Sequence, residues 1–314
     1  MYHGSVSGNG VCMTAGEGDV QTGAPDYELV RANGVDLAFL SEGSGPLVVL
    51  LHGYPDTARG WLPVMGHLAE AGYRAVAPSL PGYPPSGPSP RGDYSVAEGG
   101  RTVLAFAEAL GADRFYLCGV DWGYFLAFAA AHLDPDSVAK VAASQAHPAS
   151  VGFTDLRVTW AARHAVLNQL PWLAKRVIAR NDFAYVDKLY RRWAPTWTIT
   201  PEVTADAKAT LSQPGVLDEA LKYYRALLKA ELFPGGRVTR RLLRQPTRVP
   251  TLLFRGPEDR MTVEKWWAES PALFPEGCHV VDVPGTGHFP HREDPGALAA
   301  MLLDFFGPAA EAPS

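Results

Sequence analysis

Gly119-Val120-Asp121-Trp122-Gly123 stands between two runs of different character. Before it, residues 114–120 form a nearly unbroken apolar run, the pattern of a strand buried on both faces. After it, residues 122–132 read as a helix. Two glycines around a single polar residue permit a sharp strand-to-helix turn with close backbone approach, which lifts the central side chain to the edge of the sheet. With serine at the centre, G-x-S-x-G is a nucleophile elbow. Here the centre is Asp121, and the chain contains no G-x-S-x-G. Taken alone, Asp121 reads better as the cap of the following helix; its context changes that.

Working outward, 27–32 and 35–40 read as strands joined by Asn33-Gly34, a strong hairpin signal. Residues 46–51 and 74–78 read as buried strands, with a helix over 57–71 between them. A Gly/Pro/Ser-rich loop follows at 81–90, then a helix over 95–110. After the elbow come a strand at 138–144, and later strands at 250–254 and 279–283 with helices at 263–274 and 295–306. Strands alternating with helices imply an α/β fold with a mostly parallel sheet covered on both faces. The rhythm breaks at Pro148. Residues 148–247 show helical periodicity, almost no strand pattern, and four of the eight tryptophans. The expected organisation is a flexible tail over 1–25, an α/β core from 26–147 and 248–308, a helical insertion over 148–247, and a tail over 309–314.

Composition narrows the function. The chain has 314 residues, 47% hydrophobic and 19% charged, with a net charge of −5. That is enough chain for a large core and too apolar for disorder. The acidic balance argues against nucleic-acid binding. Arg237, Arg240, Arg241, Arg244 and Arg248 read as the only basic cluster, and as a solvated face. Cys12, Cys118 and Cys278 are scattered, without C-x-x-C, which argues against a disulfide framework or a cysteine metal site. No apolar run reaches membrane-spanning length. The first thirty residues hold no Lys or Arg, so no secretory signal is read and a cytoplasmic location is expected. No cofactor and no metal are expected.

Two further residues lie where the elbow needs partners. Gly287-His288-Phe289 follows the last strand, and Gly256-Pro257-Glu258-Asp259 follows the one before it. Both loops sit at the C-terminal edge of a parallel sheet, where ligands bind. The order nucleophile, acid, histidine suits a catalytic triad of Asp121, Asp259 and His288. Glu258 competes for the acid role, and His291 for the base. His52-Gly53-Tyr54-Pro55 ends another strand. The backbone N–H groups of Tyr54 and Trp122 would form an oxyanion hole, while His52 stabilises the turn.

Together HGYP, GVDWG, GPED and GHF resemble the epoxide hydrolase and haloalkane dehalogenase branch of the α/β-hydrolase superfamily, over residues 27–307. The resemblance implies an eight-stranded α/β-hydrolase fold, a helical cap at 148–247, an aspartate nucleophile at Asp121, and Asp259 rather than Glu258 as the acid. It also implies an alkyl–enzyme ester, hydrolysed by water that His288 activates. Epoxide hydrolases place acids from the cap over the oxirane oxygen. Tyr224, in Leu221-Lys222-Tyr223-Tyr224-Arg225-Ala226, matches one of them. His164 falls where a first tyrosine is usual. The expected activity is hydrolysis of a small apolar epoxide to a vicinal diol. Expected partners are that substrate and, at most, a second copy in a homodimer. The alternative is a haloalkane or haloacid dehalogenase, weakened by Tyr54 at a position where such enzymes use Asn. A catalytically inactive ligand-binding member is the third reading.

Overall fold

A computed structural model describes residues 26–151, 160 and 162–309. The expected tail over 1–25 and most of that over 309–314 lie outside these residues. Asn33 and Gly34 both take positive φ, 48° and 78°, and turn β1 (Glu28–Ala32) back onto β2 (Val35–Glu42). β3 (Leu47–Leu51) is wholly buried. A short 3₁₀ turn and α1 (Leu62–Glu70) lead to β4 (Arg74–Pro78). α2 (Val96–Ala109) begins at Ser95, whose hydroxyl accepts the Glu98 N–H, as helix-capping serines do. β5 (Phe115–Gly119) runs into the elbow, followed by α3 (Trp122–Leu133) and β6 (Val138–Ala143).

Six helices then fill the described part of the insertion: α4 (Arg163–Leu167), α5 (Pro171–Ile178), α6 (Arg180–Trp193), α7 (Pro201–Ser212), α8 (Val216–Leu232) and α9 (Arg237–Arg244). β7 (Thr251–Arg255), α10 (Glu264–Glu269), β8 (Cys278–Asp282), α11 (Pro290–Glu293) and α12 (Pro295–Phe306) complete the chain.

The sheet order is β1-β2-β4-β3-β5-β6-β7-β8. β1 and β2 are antiparallel additions, and every pairing from β4 to β8 is parallel. Two apolar layers pack on the two faces: one holds Val49, Leu51, Leu117 and Phe128, the other Leu50, Cys118, Phe254 and Leu302. Alternate residues of one strand thus serve opposite layers, which is why these strands read as continuous apolar runs. The topology brings the C-terminal ends of β3, β5, β7 and β8 to one edge. No described helix is long and apolar enough to cross a membrane.

Candidate active site

The elbow is tight enough to require both glycines. A Cβ on Gly119 would sit 2.3 Å from the Gly123 carbonyl oxygen, and one on Gly123 would sit 2.2 Å from that of Leu51. Asp121 itself takes φ 50°, ψ −117°, a strained conformation for a residue with a side chain. Its carboxylate makes no capping bond to α3. The capping alternative therefore fails, and the side chain is left to the sheet edge.

The two carboxylate oxygens of Asp121 have different surroundings. Oδ1 accepts the Tyr54 N–H at 2.7 Å. Oδ2 lies 3.5 Å from His288 Nε2. Gly53 makes the first contact feasible: a Cβ there would fall 2.3 Å from Asp121 Oδ1 and 2.6 Å from the Trp122 nitrogen. The Tyr54 amide thus donates to Asp121, and the Trp122 nitrogen lies against the same turn. His52 holds the turn, accepting the Leu80 N–H at Nε2 (3.0 Å), with Nδ1 3.1 Å from the Gly53 oxygen.

His288 Nδ1 is 2.9 Å from Asp259 Oδ2. The other Asp259 oxygen accepts the Met261 N–H at 2.7 Å, which fixes the carboxylate's orientation. Glu258 lies in an outer cleft instead. His291 is turned away from the nucleophile and meets Asp56 at 2.8 Å. Burial alone would lower the His288 pKa, but Asp259, with Asp121 adding to it, outweighs burial and pushes it up to about 10.

Above Asp121 is a cavity of about 120 Å³. Phe125, Ala165, Leu227, Met261 and Trp266 give it an apolar wall, and Asp121, His288, Tyr224 and His164 place polar groups on it. Tyr224, on α8, and His164, on α4, come together with ring centroids 5.5 Å apart. Burial, with the nearby Asp121 charge, raises the Tyr224 pKa well above its ordinary value, so the hydroxyl keeps its proton. The Trp122 Nε1–H leans toward that hydroxyl without a hydrogen bond of normal geometry.

Three functional neighbours escape the sequence reading. Trp193, fully buried at the end of α6, packs on His164 (4.8 Å between ring centroids) and on His288 (4.9 Å), and its carbonyl accepts the His288 N–H at 3.1 Å. Rings therefore follow one another from Trp122 through Tyr224, His164 and Trp193 to His288. Glu293 accepts the N–H groups of Gly287 and Phe289, each at 2.8 Å. Asp56 binds His291, Arg292 (3.0 Å) and Tyr190 (3.3 Å), and Arg292 also donates to the Val203 carbonyl at 2.7 Å, so this buried carboxylate fastens α6 and α7 to the loop bearing His288. The tryptophan content of 148–247 and the dense charge of His291-Arg292-Glu293-Asp294 were the available signals.

The basic clusters also need correction. Arg240 and Arg244 bind the Ala230 and Phe233 carbonyls and Glu231, as a solvated face does. A second cluster, built from Lys188, Arg191 and Arg192 on α6 and joined by Arg163 and Arg260 only through the fold, lines the cleft beside the catalytic cavity.

An eight-stranded, mostly parallel sheet with a carboxylate at a strained elbow and a His–Asp pair at adjacent strand ends defines a hydrolase of the α/β class. The family model described as the alpha/beta hydrolase fold matches residues 46–295, and the chain belongs to that family. It is epoxide hydrolase-like. It is 28% identical to the AB hydrolase superfamily protein YfhM of Bacillus subtilis, over 88% of this chain and 96% of that protein. It is 26% identical to epoxide hydrolase A of Mycobacterium tuberculosis, covering 90% of this chain and 98% of that one. Among solved structures, a putative epoxide hydrolase from Klebsiella pneumoniae superposes with a TM-score of 0.79 at 22% identity, over 88% of this chain and 96% of that chain.

Proposed function

We propose that this chain converts an epoxide to a vicinal diol through a covalent ester on Asp121. The observation that carries this reading is the unequal placement of the Asp121 oxygens, one on the Tyr54 amide and one facing His288 beneath Tyr224 and His164. A carboxylate is a competent nucleophile at an sp³ carbon. One Asp121 oxygen attacks an oxirane carbon, the C–O bond breaks, and Tyr224, assisted by His164, protonates the departing oxygen. The proton that His288 holds at rest returns to the Tyr224 oxygen; His288, oriented by Asp259, then takes a proton from water, and the hydroxide adds to the ester carbonyl. The Tyr54 and Trp122 amides hold the resulting oxyanion. Collapse releases the diol and restores the Asp121 carboxylate. The apolar wall of the cavity suits an apolar group on the oxirane.

The test is a single turnover in ¹⁸O-water with enzyme in excess over a small aryl or alkyl epoxide. The diol should emerge largely unlabelled while the peptide bearing Asp121 gains the label. A diol fully labelled in that turnover means direct attack by water, and the nucleophilic role falls.

One observation favours a second reading, dehalogenation. The indole N–H groups of Trp122 and Trp193 are buried with no acceptor of normal geometry among the described residues, and halides are bound by such donors. Release of bromide from bromoalkanes, with epoxides untouched, selects it.

A further inference from the structure

Apolar side chains exposed to water are concentrated in one stretch. Five of the eleven large ones among the described residues, Trp160, Val166, Leu170, Trp172 and Val177, fall within 160–177. Trp160, Val166 and Trp172 are each more than two-thirds exposed. An isolated exposed apolar residue is ordinary; a cluster that includes two tryptophans marks a contact.

The stretch is a two-sided strip. Val166 and Leu170 follow Arg163 at i+3 and i+7, and bonds from the Leu170 N–H to the Leu167 carbonyl and from the Ala174 N–H to the Leu170 carbonyl carry the turns of α4 into α5. On α5, Trp172, Lys175 and Arg176 share the exposed side, at i, i+3 and i+4. The opposite side is buried at His164, Asn168, Ala174 and Ile178. Ala162, His164 and Ala165 line the catalytic cavity, so the outer side of this strip is the back of the cavity's wall.

The strip is also cationic. Residues 156–181 hold five Lys and Arg and no Asp or Glu. Lys175 is paired with Asp218, but among the described residues Arg163, Arg176 and Arg180 make no ion pair. Arg163 lies over the Trp160 ring at 4.3 Å and lines the cleft that also holds Lys188, Arg191, Arg192 and Arg260, so the positive field continues into α6. The polarity extends to the whole chain. Residues 148–247 hold sixteen Lys and Arg against eight Asp and Glu, a net charge of +8, while the remainder holds twelve against twenty-five, a net charge of −13. Near an anionic surface such a molecule turns its insertion toward that surface and its core away.

Two copies meeting symmetrically through this strip bring like charge against like. An acidic polar partner answers the charge and leaves the indoles and alkyl groups in water. A lipid surface answers both: phosphate headgroups meet the cations, and the headgroup–acyl boundary takes tryptophan and aliphatic side chains. We infer that the outer side of α4 and α5 seats on an anionic lipid bilayer. The contact is peripheral, since no described helix is long and apolar enough to cross. It goes beyond the epoxide reading and stands without it. Joined to that reading, it sets the wall of the catalytic cavity against the phase in which apolar epoxides collect.

The test is flotation of the full chain with vesicles of phosphatidylcholine alone and with vesicles of phosphatidylcholine and phosphatidylglycerol in equal parts. At low salt the chain should float with the mixed vesicles and stay behind with phosphatidylcholine alone, and salt should release it. R176Q/R180Q should cut the partition coefficient by about tenfold or more, each cation near an anionic surface being worth about fivefold. V166Q/W172Q leaves the charge unchanged and should cut it by about as much, because binding scales with the apolar area taken up by the boundary. Both variants should keep the circular dichroism spectrum of the parent.

Absence of flotation with the mixed vesicles, equal flotation with both kinds, or flotation that survives either double substitution overturns the assignment. A chain that ignores the vesicles and self-associates, in a way that V166Q/W172Q abolishes, also overturns it and gives the strip to a second copy.

Discussion

Glu293 clasps the backbone on either side of His288, accepting the Gly287 N–H with one carboxylate oxygen and the Phe289 N–H with the other. His288 is thus held at three places: Glu293 and the Trp193 carbonyl fix its main chain, and Asp259 fixes the imidazole through Nδ1. Glutamine at 293 keeps one acceptor and turns an amide N–H toward the other donor. Leaving a buried N–H unpaired costs about 1–3 kcal/mol. Glu293→Gln should therefore lower the melting temperature by several degrees. If Glu293 positions the base, ester hydrolysis should slow more than alkylation, lowering KM together with kcat. A melting shift with both constants unchanged reduces Glu293 to a loop fastener.

Asp121→Ala should remove activity by at least about 10³-fold while the circular dichroism spectrum stays native, as expected when a covalent nucleophile is lost. Alanine is a cleaner test than asparagine, which deamidates back to aspartate. Activity within tenfold of the parent enzyme ends the covalent mechanism.

His288→Gln and Asp259→Asn should spare the first half-reaction and stall the second. Intact-protein mass spectrometry after mixing with an epoxide should show Asp121 carrying the full mass of the substrate. Absence of the adduct, with turnover also lost, places His288 in the first step instead.

Tyr224→Phe should slow ring opening by about 10²-fold, the usual worth of a general acid. His164→Ala should also slow alkylation, followed in the pre-steady state. Unchanged alkylation in both variants removes the pair from the reaction. Weakened halide inhibition with epoxide turnover intact moves the enzyme toward dehalogenation.

Acid should destabilise the fold in two windows. His132 and His147 flank the Thr247 hydroxyl at 2.6 and 3.0 Å, away from the catalytic site. Burial lowers the pKa of both, that of His147 to about 3, with His132 adding to the effect on His147. The unfolded chain takes up these protons below about pH 6.5 and the folded chain does not. Stability is thus full above pH 6.5 and lost progressively as pH falls toward 3. Asp56 acts lower. Burial opposes its charge, but Arg292 and His291 outweigh it and hold the carboxyl below its usual range, so its contribution is lost only below about pH 4. Thermal unfolding of His147→Gln from pH 7 to 4 should show a flatter slope than the parent protein. An unaltered slope assigns the acid sensitivity elsewhere.

What was legible follows from where each signal is stored. Asn33-Gly34, the apolar strands and the two elbow glycines act on their own neighbours, so the order of strands and the placement of Asp121, Asp259 and His288 at strand ends could be read from spacing. Tyr54 could be read because its contribution is a backbone N–H at a strand end. Trp193, Glu293 and Asp56 could not. Their roles depend on how the helical insertion seats against the core, and Asp56 meets Tyr190 and Arg292 only after the chain has returned across the whole insertion. The joining of the cationic cluster was hidden for the same reason. Arg163, Arg192 and Arg260 belong to three segments, and only the fold makes them adjacent.

The setting of His288 between two carboxylates has a consequence for timing. At rest the imidazole holds an extra proton and is no base. In the proposed mechanism esterification of Asp121 removes one of the two negative charges that favour the protonated ring, so the hold on that proton weakens only once there is an ester to hydrolyse. The proton then shed equals the one that the opened oxirane oxygen consumes, and the hydrolytic half returns it. In the proposed mechanism the nucleophile is therefore also the clock of its own base, and a full cycle draws no net proton from the buffer.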